Sequence, residues 1–456
     1  MYRKLTLIIT LCLLSFGFVD AQEGWTLEQC IKYAFDNNIQ IKQQLLNVQF
    51  NQNQLLQSKL TTLPSLNAAA NHAYNFGLAT NYKTNQKESQ SIQSTSFSLN
   101  SSVTLFNGLQ LTNTRKQDRY NLLASVSDVE KVKNNIALTI ASAFLQILYN
   151  EELVASTGRQ VELSRLQVER TGVLVKAGSL PEGNLFEIEA QLASDELQLV
   201  NAQNQLDLSY LTLTQLLEIK QPEGFKIQKP NLEGLLEKMV TLAPGEVYQS
   251  ALQSLPQIAS ANFKVSSAER GLSIAKGGMS PRLSLNGNYN SGTQYYLTDV
   301  YRLNTSTGQM ELVKEDPFLD QLRNNASKTI ALSLSIPIFN GWQVRNGISN
   351  AMISLDNARL SLENEKNILY KDIQQAYTDA IAAQKKLKAS QKNLTALEES
   401  FRYAEQKLNL GLVTSYDYTN AKNKLSKAEA DLLQAKYELI FKTKILEFYK
   451  GIPLSL

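Results

Sequence analysis

The chain has 456 residues, a net charge of +3 and a hydrophobic fraction of 43%. Nearly balanced charge argues against a nucleic-acid partner, which would call for a concentrated basic surface. Beyond the N-terminus no apolar run reaches the ~18 residues of a membrane-spanning helix, so a spanning helix is excluded there.

Residues 1–21 read as an export signal. Arg3 and Lys4 are its basic start, Leu5 to Phe18 its apolar stretch, and Val19-Asp20-Ala21 supplies small residues for a cut before Gln22. The run is short for an anchoring helix and polar sequence follows it. Cys12 follows Leu11 inside the apolar stretch, a poor context for lipoprotein processing. Its removal leaves Cys30 alone, with no internal disulfide, most simply as a small buried hydrophobe.

Residues 25–60 predict an amphipathic helix opened by Thr26 as N-cap, with Glu28 and Gln29 in the first turn, and stopped by Pro64. Strict alternation follows. Leu66, Ala68, Ala70, His72, Tyr74 and Phe76 share one face of a strand, opposite Asn67, Ala69, Asn71, Ala73 and Asn75. After a polar loop expected over 77–93, a second strand (about 95–106) sets Phe97, Leu99, Val103 and Leu105 against Ser96, Ser98, Asn100 and Ser102. Past Phe106-Asn107-Gly108 the period becomes helical over 109–175, and again over 184–218. Residues 219–245, with Pro222, Gly224, Pro230, Pro244 and Gly245, read as a linker.

The order then returns: a helix over 246–277, Pro281, strands over about 282–291 and 328–339 around a longer loop at 291–326, a long helix over 342–409 and a return helix over 417–449. Phe339-Asn340-Gly341 lies 233 positions after Phe106-Asn107-Gly108, and Gly411 lies 233 after Gly178. The seam Ile373, Ala380, Leu387, Leu394, Phe401, Leu408 falls on Ile140, Ile147, Val154, Val161, Val168, Val175. The chain is therefore read as a tandem duplication, a first structural repeat over 22–230 and a second over 231–456. Sustained heptads predict left-handed supercoiled pairs. Asp195 interrupts the seam of the first return helix.

Lengths constrain the architecture. A helix over 109–175 is roughly 100 Å long at ~1.5 Å per residue, which no compact globule needs. Strands of about 10 residues with one apolar and one Ser/Asn/Thr face suit a tilted crossing of an outer membrane. Phe106 and Phe339, where strand meets helix, fit an interfacial aromatic girdle. Four strands cannot close, and an open edge in lipid leaves backbone groups unpaired, so an oligomer is expected. Two copies give a barrel filled by side chains; three are the fewest that leave a bore.

The export signal, the duplicated strand–strand–long-helix unit and the glycines at the helix ends resemble the TolC-like outer-membrane efflux proteins. The best local match is Lys407-Leu408-Asn409-Leu410-Gly411-Leu412-Val413-Thr414-Ser415-Tyr416-Asp417; the first repeat departs from it with Ala177-Gly178-Ser179-Leu180-Pro181. The resemblance implies an α+β membrane protein: a homotrimer whose 12-stranded transmembrane β-barrel in outer-membrane lipid, four strands per chain, continues as a long α-helical coiled-coil tunnel through the periplasm. It implies a passive duct for efflux or type I secretion, docked onto a periplasmic adaptor (membrane fusion) protein and an inner-membrane RND or ABC transporter. Ala177, Gly178 and Ser179, with Leu410, Gly411 and Leu412, become adaptor-contact candidates. The family's aperture aspartates lie six and nine residues after the tip glycine. That makes Asp417 and Asn420, with Asn184 and Glu187 of the first repeat, candidates for a pore constriction, and a ring of carboxylates there would favour cations. Asp417 as an N-terminal residue that only starts its helix is the local alternative.

Catalysis finds little support. His72 is the one histidine and lies within a strand, and Gly271 to Gly278 lacks the Gly-Lys-Ser/Thr ending of a phosphate loop, so no enzyme activity, cofactor or metal is expected. A periplasmic or surface coiled-coil scaffold without a pore explains the heptads but not the four strands.

Overall fold

The computed structural model describes residues 24–81, 85–230, 243–312 and 314–456. The export signal over 1–21 and residues 231–242 of the linker lie outside the described residues. In chain order the elements are α1 (Leu27–Asn37), α2 (Ile39–Leu60), β1 (Ser65–Asn81), β2 (Gln86–Asn107), α3 (Gln110–Lys176) and α4 (Glu182–Leu216). The second half has α5 (Pro244–Ser254), α6 (Pro256–Gly277), β3 (Arg282–Tyr296), β4 (Tyr301–Leu303), β5 (Met310–Leu312), α7 (Phe318–Asn324), β6 (Ser327–Ser335), α8 (Gln343–Asn409) and α9 (Ser415–Tyr449). They form two compact units, each drawing on both repeats. One takes the described residues within Met1–Val48, Ala124–Asn262 and Ser361–Leu456; the other takes those within Gln49–Leu123 and Phe263–Leu360.

The first unit is helical. Thr26 and Gln29 form a reciprocal capping box at α1: the Gln29 N–H donates to Thr26 Oγ1 at 3.2 Å and the Thr26 N–H to Gln29 Oε1 at 2.9 Å. The seam read from the heptads is its core. Ile140 and Ile373 are both fully buried, each in its own cluster, the first with Cys30, Phe144 and Leu213, the second with Val247, Ala251 and Leu446. A buried side chain of this size contributes about 1.5–3 kcal/mol. That outweighs the ~0.5 kcal/mol helix-propensity cost of β-branched residues such as Val161. Cys30 is 0% exposed, and burial pushes its thiol up to about 12.

Two helices expected to be single are each broken once. The helix predicted over 25–60 stops at Asn38, and that over 246–277 at Leu255; both residues are extended, with ψ of 131° and 130°. In the first repeat the Asn38 side chain accepts from the Gln40 N–H at 2.9 Å and so starts a new helix. In the second, Pro256 forces the residue before it out of the helical region.

The second unit carries the sheet, antiparallel in the order β1-β2-β3-β6. Lateral rows run straight across it: Asn67, Asn100, Asn288 and Thr329 on one face; Phe106, Leu283 and Leu334 on the other. Of the polar loop expected over 77–93, residues 77–81 and 86–93 are strand instead, with β1 and β2 paired out to Asn81 and Gln86. From Thr80 to Ser91 the described residues are polar on both faces, which hides the alternation. The second loop is also structured. β3 runs on to Tyr296, past the last β6 partner, Ser327 opposite Asn290. Side chains serve its free edge: the Gln294 N–H donates to Gln321 Oε1 at 2.8 Å, and Asn325 Nδ2 donates to the Gly292 carbonyl at 2.8 Å. β6 ends at Ser335 rather than 339, just before Pro337, which has no N–H for the ladder.

Candidate functional site

The ends of the long helices are built by the same local rule in both repeats. After α3 the Ser179 N–H reaches back to the Leu174 carbonyl (2.9 Å) and the Gly178 N–H to Val175 (2.9 Å). After α8 the Leu412 N–H reaches Lys407 (2.8 Å) and the Gly411 N–H reaches Leu408 (3.0 Å). This is a Schellman turn, and it requires a left-handed residue. Gly178 and Gly411 supply it, with φ of +74° and +70°. Ala177, Gly178, Ser179, Leu410, Gly411 and Leu412 are all exposed, so two exposed leucines flank the second glycine.

The return helices start differently. At α9, Thr414 and Asp417 form a capping box: Thr414 Oγ1 accepts from the Asp417 N–H at 3.2 Å, and Asp417 Oδ2 accepts from the Thr414 N–H at 3.1 Å and the Thr414 hydroxyl at 2.7 Å. The Thr414 hydroxyl, then its N–H, holds the Asp417 carboxyl below the usual carboxylate range, so an exposed negative charge stands at this end. Tyr418, next in the chain, is buried against Phe401 at 5.4 Å between ring centroids, and burial pushes its hydroxyl up to about 12. At α4, Pro181 stands where Thr414 stands and offers no side-chain cap. Asn184, at the place of Asp417, donates instead from Nδ2 to Ser415 Oγ at 3.2 Å, tying the first tip to the second. Glu187 and Asn420 are exposed, and among the described residues no hydrogen bond or ion pair links them to Asp417 or Asn184.

Further into this unit lies a buried polar cluster that heptad reading does not reveal. Lys422 Nζ on α9 meets Asp195 Oδ2 on α4 at 3.0 Å, and Ser164 of α3 bonds both. Gln191 Nε2 donates to Asp195 Oδ1 at 2.7 Å and to Asn423 Oδ1 at 3.1 Å, extending the tie between the return helices. The interruption of the seam by Asp195 was its one sequence signal; Lys422, one position off the seam residue Ala421, gave none. A serine beside a lysine can be a nucleophile in an open cleft. Here Ser164, Asp195 and Lys422 are each buried, which leaves no access for a substrate and makes the cluster a tie between helices.

The sequence pattern of the outer membrane efflux protein family matches residues 30–218 and 247–444, one stretch on each repeat. The chain belongs to this family. Several solved structures have a similar fold. CusC, from a study of conformational changes accompanying folding and transmembrane channel formation, is 17% identical with a TM-score of 0.78 over 96% of each chain. The CmeC outer membrane channel of Campylobacter jejuni is 16% identical with a TM-score of 0.77, over 96% of this chain and 91% of its own. The outer membrane protein VceC of Vibrio cholerae is 16% identical with a TM-score of 0.75, over 93% and 96%. At these identities the likeness establishes the fold of this efflux protein. No curated protein sequence matches it.

Proposed function

We propose that the protein is the outer-membrane channel of an export assembly: a homotrimer that closes a 12-stranded barrel, continues it as a helical tunnel into the periplasm, and passes substrates passively. The observation that carries this reading is the sheet. Its outer strands β1 and β6 each have one partner. The apolar face is bare, with Ile330, Leu332 and Leu334 at 84%, 64% and 62% exposure. In water such an edge and face would aggregate; in lipid the face is satisfied, and the edges need strands from other copies. Repeating the β2–β3 seam between β6 of one copy and β1 of the next closes a ring. The opposite face, rich in asparagine and serine, then lines the bore.

The tips are the surfaces offered to a periplasmic adaptor, itself coupled to an RND or ABC transporter in the inner membrane. Ala177, Gly178, Ser179, Leu410, Gly411 and Leu412 are the contact residues in this reading. Asp417 narrows the entrance and gives it charge, with Asn420, Asn184 and Glu187 as neutral or charged companions; its capping role at Thr414 is compatible with this because the carboxylate stays exposed. Crosslinking of the detergent-solubilised protein tests the assembly. A species of three protomer masses is expected, and a stable monomer with full strand content contradicts it.

A further inference from the structure

The duplication sets residue positions as well as element order. Pro281 lies 217 positions after Pro64, and the helices that lead to these prolines, α2 and α6, have 22 residues each. Past the second strand of each pair the shift is 233. The strands obey both shifts at once: Ser65 faces Ser102, and Arg282, 217 positions after Ser65, faces Ser335, 233 positions after Ser102. The contact between the repeats, β2 on β3 and α3 on α6, is therefore a template. The same shifts turn it into a contact that one chain leaves unmade, with β6 and α8 meeting β1 and α2 of another copy.

Within the second unit α6 lies close on α3. Gln110 Nε2 donates to the Ile274 carbonyl at 3.0 Å, and the Ser267 hydroxyl donates to Asn121 Oδ1 at 2.6 Å. A Cβ on Gly277 would stand 2.5 Å from the Gly108 carbonyl oxygen, so glycine is needed for this approach. The counterparts of these residues stand bare. Gln343, at the place of Gln110, is exposed. Ser267 is 8% exposed, but Phe50 at its place is 62% exposed. Gly277 is buried, but Leu60 at its place is 47% exposed. Nothing lies within 4 Å of a Cβ on Gly341, at the place of Gly108.

We propose that α2 of a second copy lies along α8 in the register that α6 keeps on α3, with the partner's Leu60 and the partner's Leu63 seated in a cleft beside Gly341. This rests on the reading of the sheet as one part of a closed trimeric ring. In this register the carbonyl of the partner's Gln57 comes to Gln343, as that of Ile274 comes to Gln110, so one polar bond is kept. The partner's Phe50 comes to Ser354, where the template has the Ser267–Asn121 bond. A leucine cannot repeat the approach of Gly277, because its Cβ would meet the Gly341 carbonyl. The seam between copies is therefore wider at this corner. The cleft there, about 250 Å³ and lined by Pro337, Ile338, Phe339 and Trp342 among others, takes up the difference. An apolar cavity of ~150 Å³ admits benzene, so this one admits leucine side chains. The chain meets itself through glycine and hydrogen bonds, and meets its partner through apolar side chains, as obligate interfaces do.

Disulfide trapping in membranes tests the register. Cys12→Ala and Cys30→Ala remove the native thiols from the full chain. Leu60→Cys with Gln343→Cys reports the helical seam; at the template, Gln110 Cγ lies 2.7 Å from a Cβ on Gly277, which is disulfide reach. Ala73→Cys with Ala331→Cys, at the places of Asn290 and Ser98, reports the strand seam alone. Both pairs should shift the protein to two and three protomer masses on oxidation, reversibly by reductant, with no shift from any single cysteine. Linking of the strand pair without the helical pair overturns the proposed seam, leaves the cleft to a different occupant, and keeps the ring. Linking of neither pair overturns both. Where Leu60→Cys itself costs trimers, Phe50→Cys with Ser354→Cys reads the same register farther along α2, and its failure to link overturns the seam.

Discussion

Lys422 and Asp195 meet at 3.0 Å with only 5% and 2% of their side chains exposed, one on the return helix of each repeat. Two opposite charges taken out of water are stable as a pair and costly apart. The same feature is absent 233 positions away, where Glu189 answers Lys422 and Ala428 answers Asp195, so it is an asymmetric addition to a duplicated scaffold. It links the return helices a few turns from the tips, where Asn184 and Ser415 link them again.

Lys422→Met alone should destabilise the helical unit by about 3–5 kcal/mol, because Asp195 is left charged and buried. Adding Asp195→Leu should recover most of that loss. Melting of the helical circular-dichroism signal in detergent checks both; a single variant as stable as the double would mean that water reaches the site.

Gly411→Val should cost about 1–2 kcal/mol locally, since valine has no comfortable left-handed conformation. If the tip also meets an adaptor, export is abolished while trimers remain in the membrane. Export assays with membrane fractionation read both. Lost trimers would reduce Gly411 to a turn former, and normal export would refute both roles.

Leu334 and Ser333 are neighbours on opposite faces of β6. Leu334→Arg should impair assembly as a lipid-facing charge one residue from the end of the strand, level with Phe106, and Ser333→Arg should impair it less; the full ~2–4 kcal/mol of a mid-bilayer charge is expected at Ile330. The yield of folded trimers measures the difference; equal tolerance would mean the faces are assigned the wrong way round.

Asp417 separates capping from conduction. Its carboxyl is held below the usual range by Thr414, so its contribution to helix stability is present above the unfolded value of ~3.9 and is lost as pH falls through the lower native value. Asp417→Ala should speed hydrogen exchange at the first amides of α9. Asp417→Asn removes the charge and should lower cation selectivity in single-channel reversal potentials. Unchanged selectivity would leave the carboxylate as a cap only.

The parts of the fold that repeat were legible in the sequence, because a seam such as Ile140 and Ile373 is fixed by burial and burial leaves a period. The helix breaks were not. Asn38 acts through one side-chain hydrogen bond and Pro256 through one backbone clash, and neither disturbs the hydrophobic pattern around it. The extent of β1 and β2 was hidden because backbone pairing persists where both faces are polar. At the tips, the glycines announced the turns, while the reach of Asn184 to Ser415 depends on two helices being brought together and has no local signature. Lys422 was invisible for the same reason: a lysine beside a seam looks solvent-facing until a third helix covers it.

Electrical recording on the purified oligomer in a planar lipid bilayer decides whether the protein forms a pore. Stable single-channel conductance steps are expected from the proposed trimer. Trimers that insert but pass no current would contradict that function.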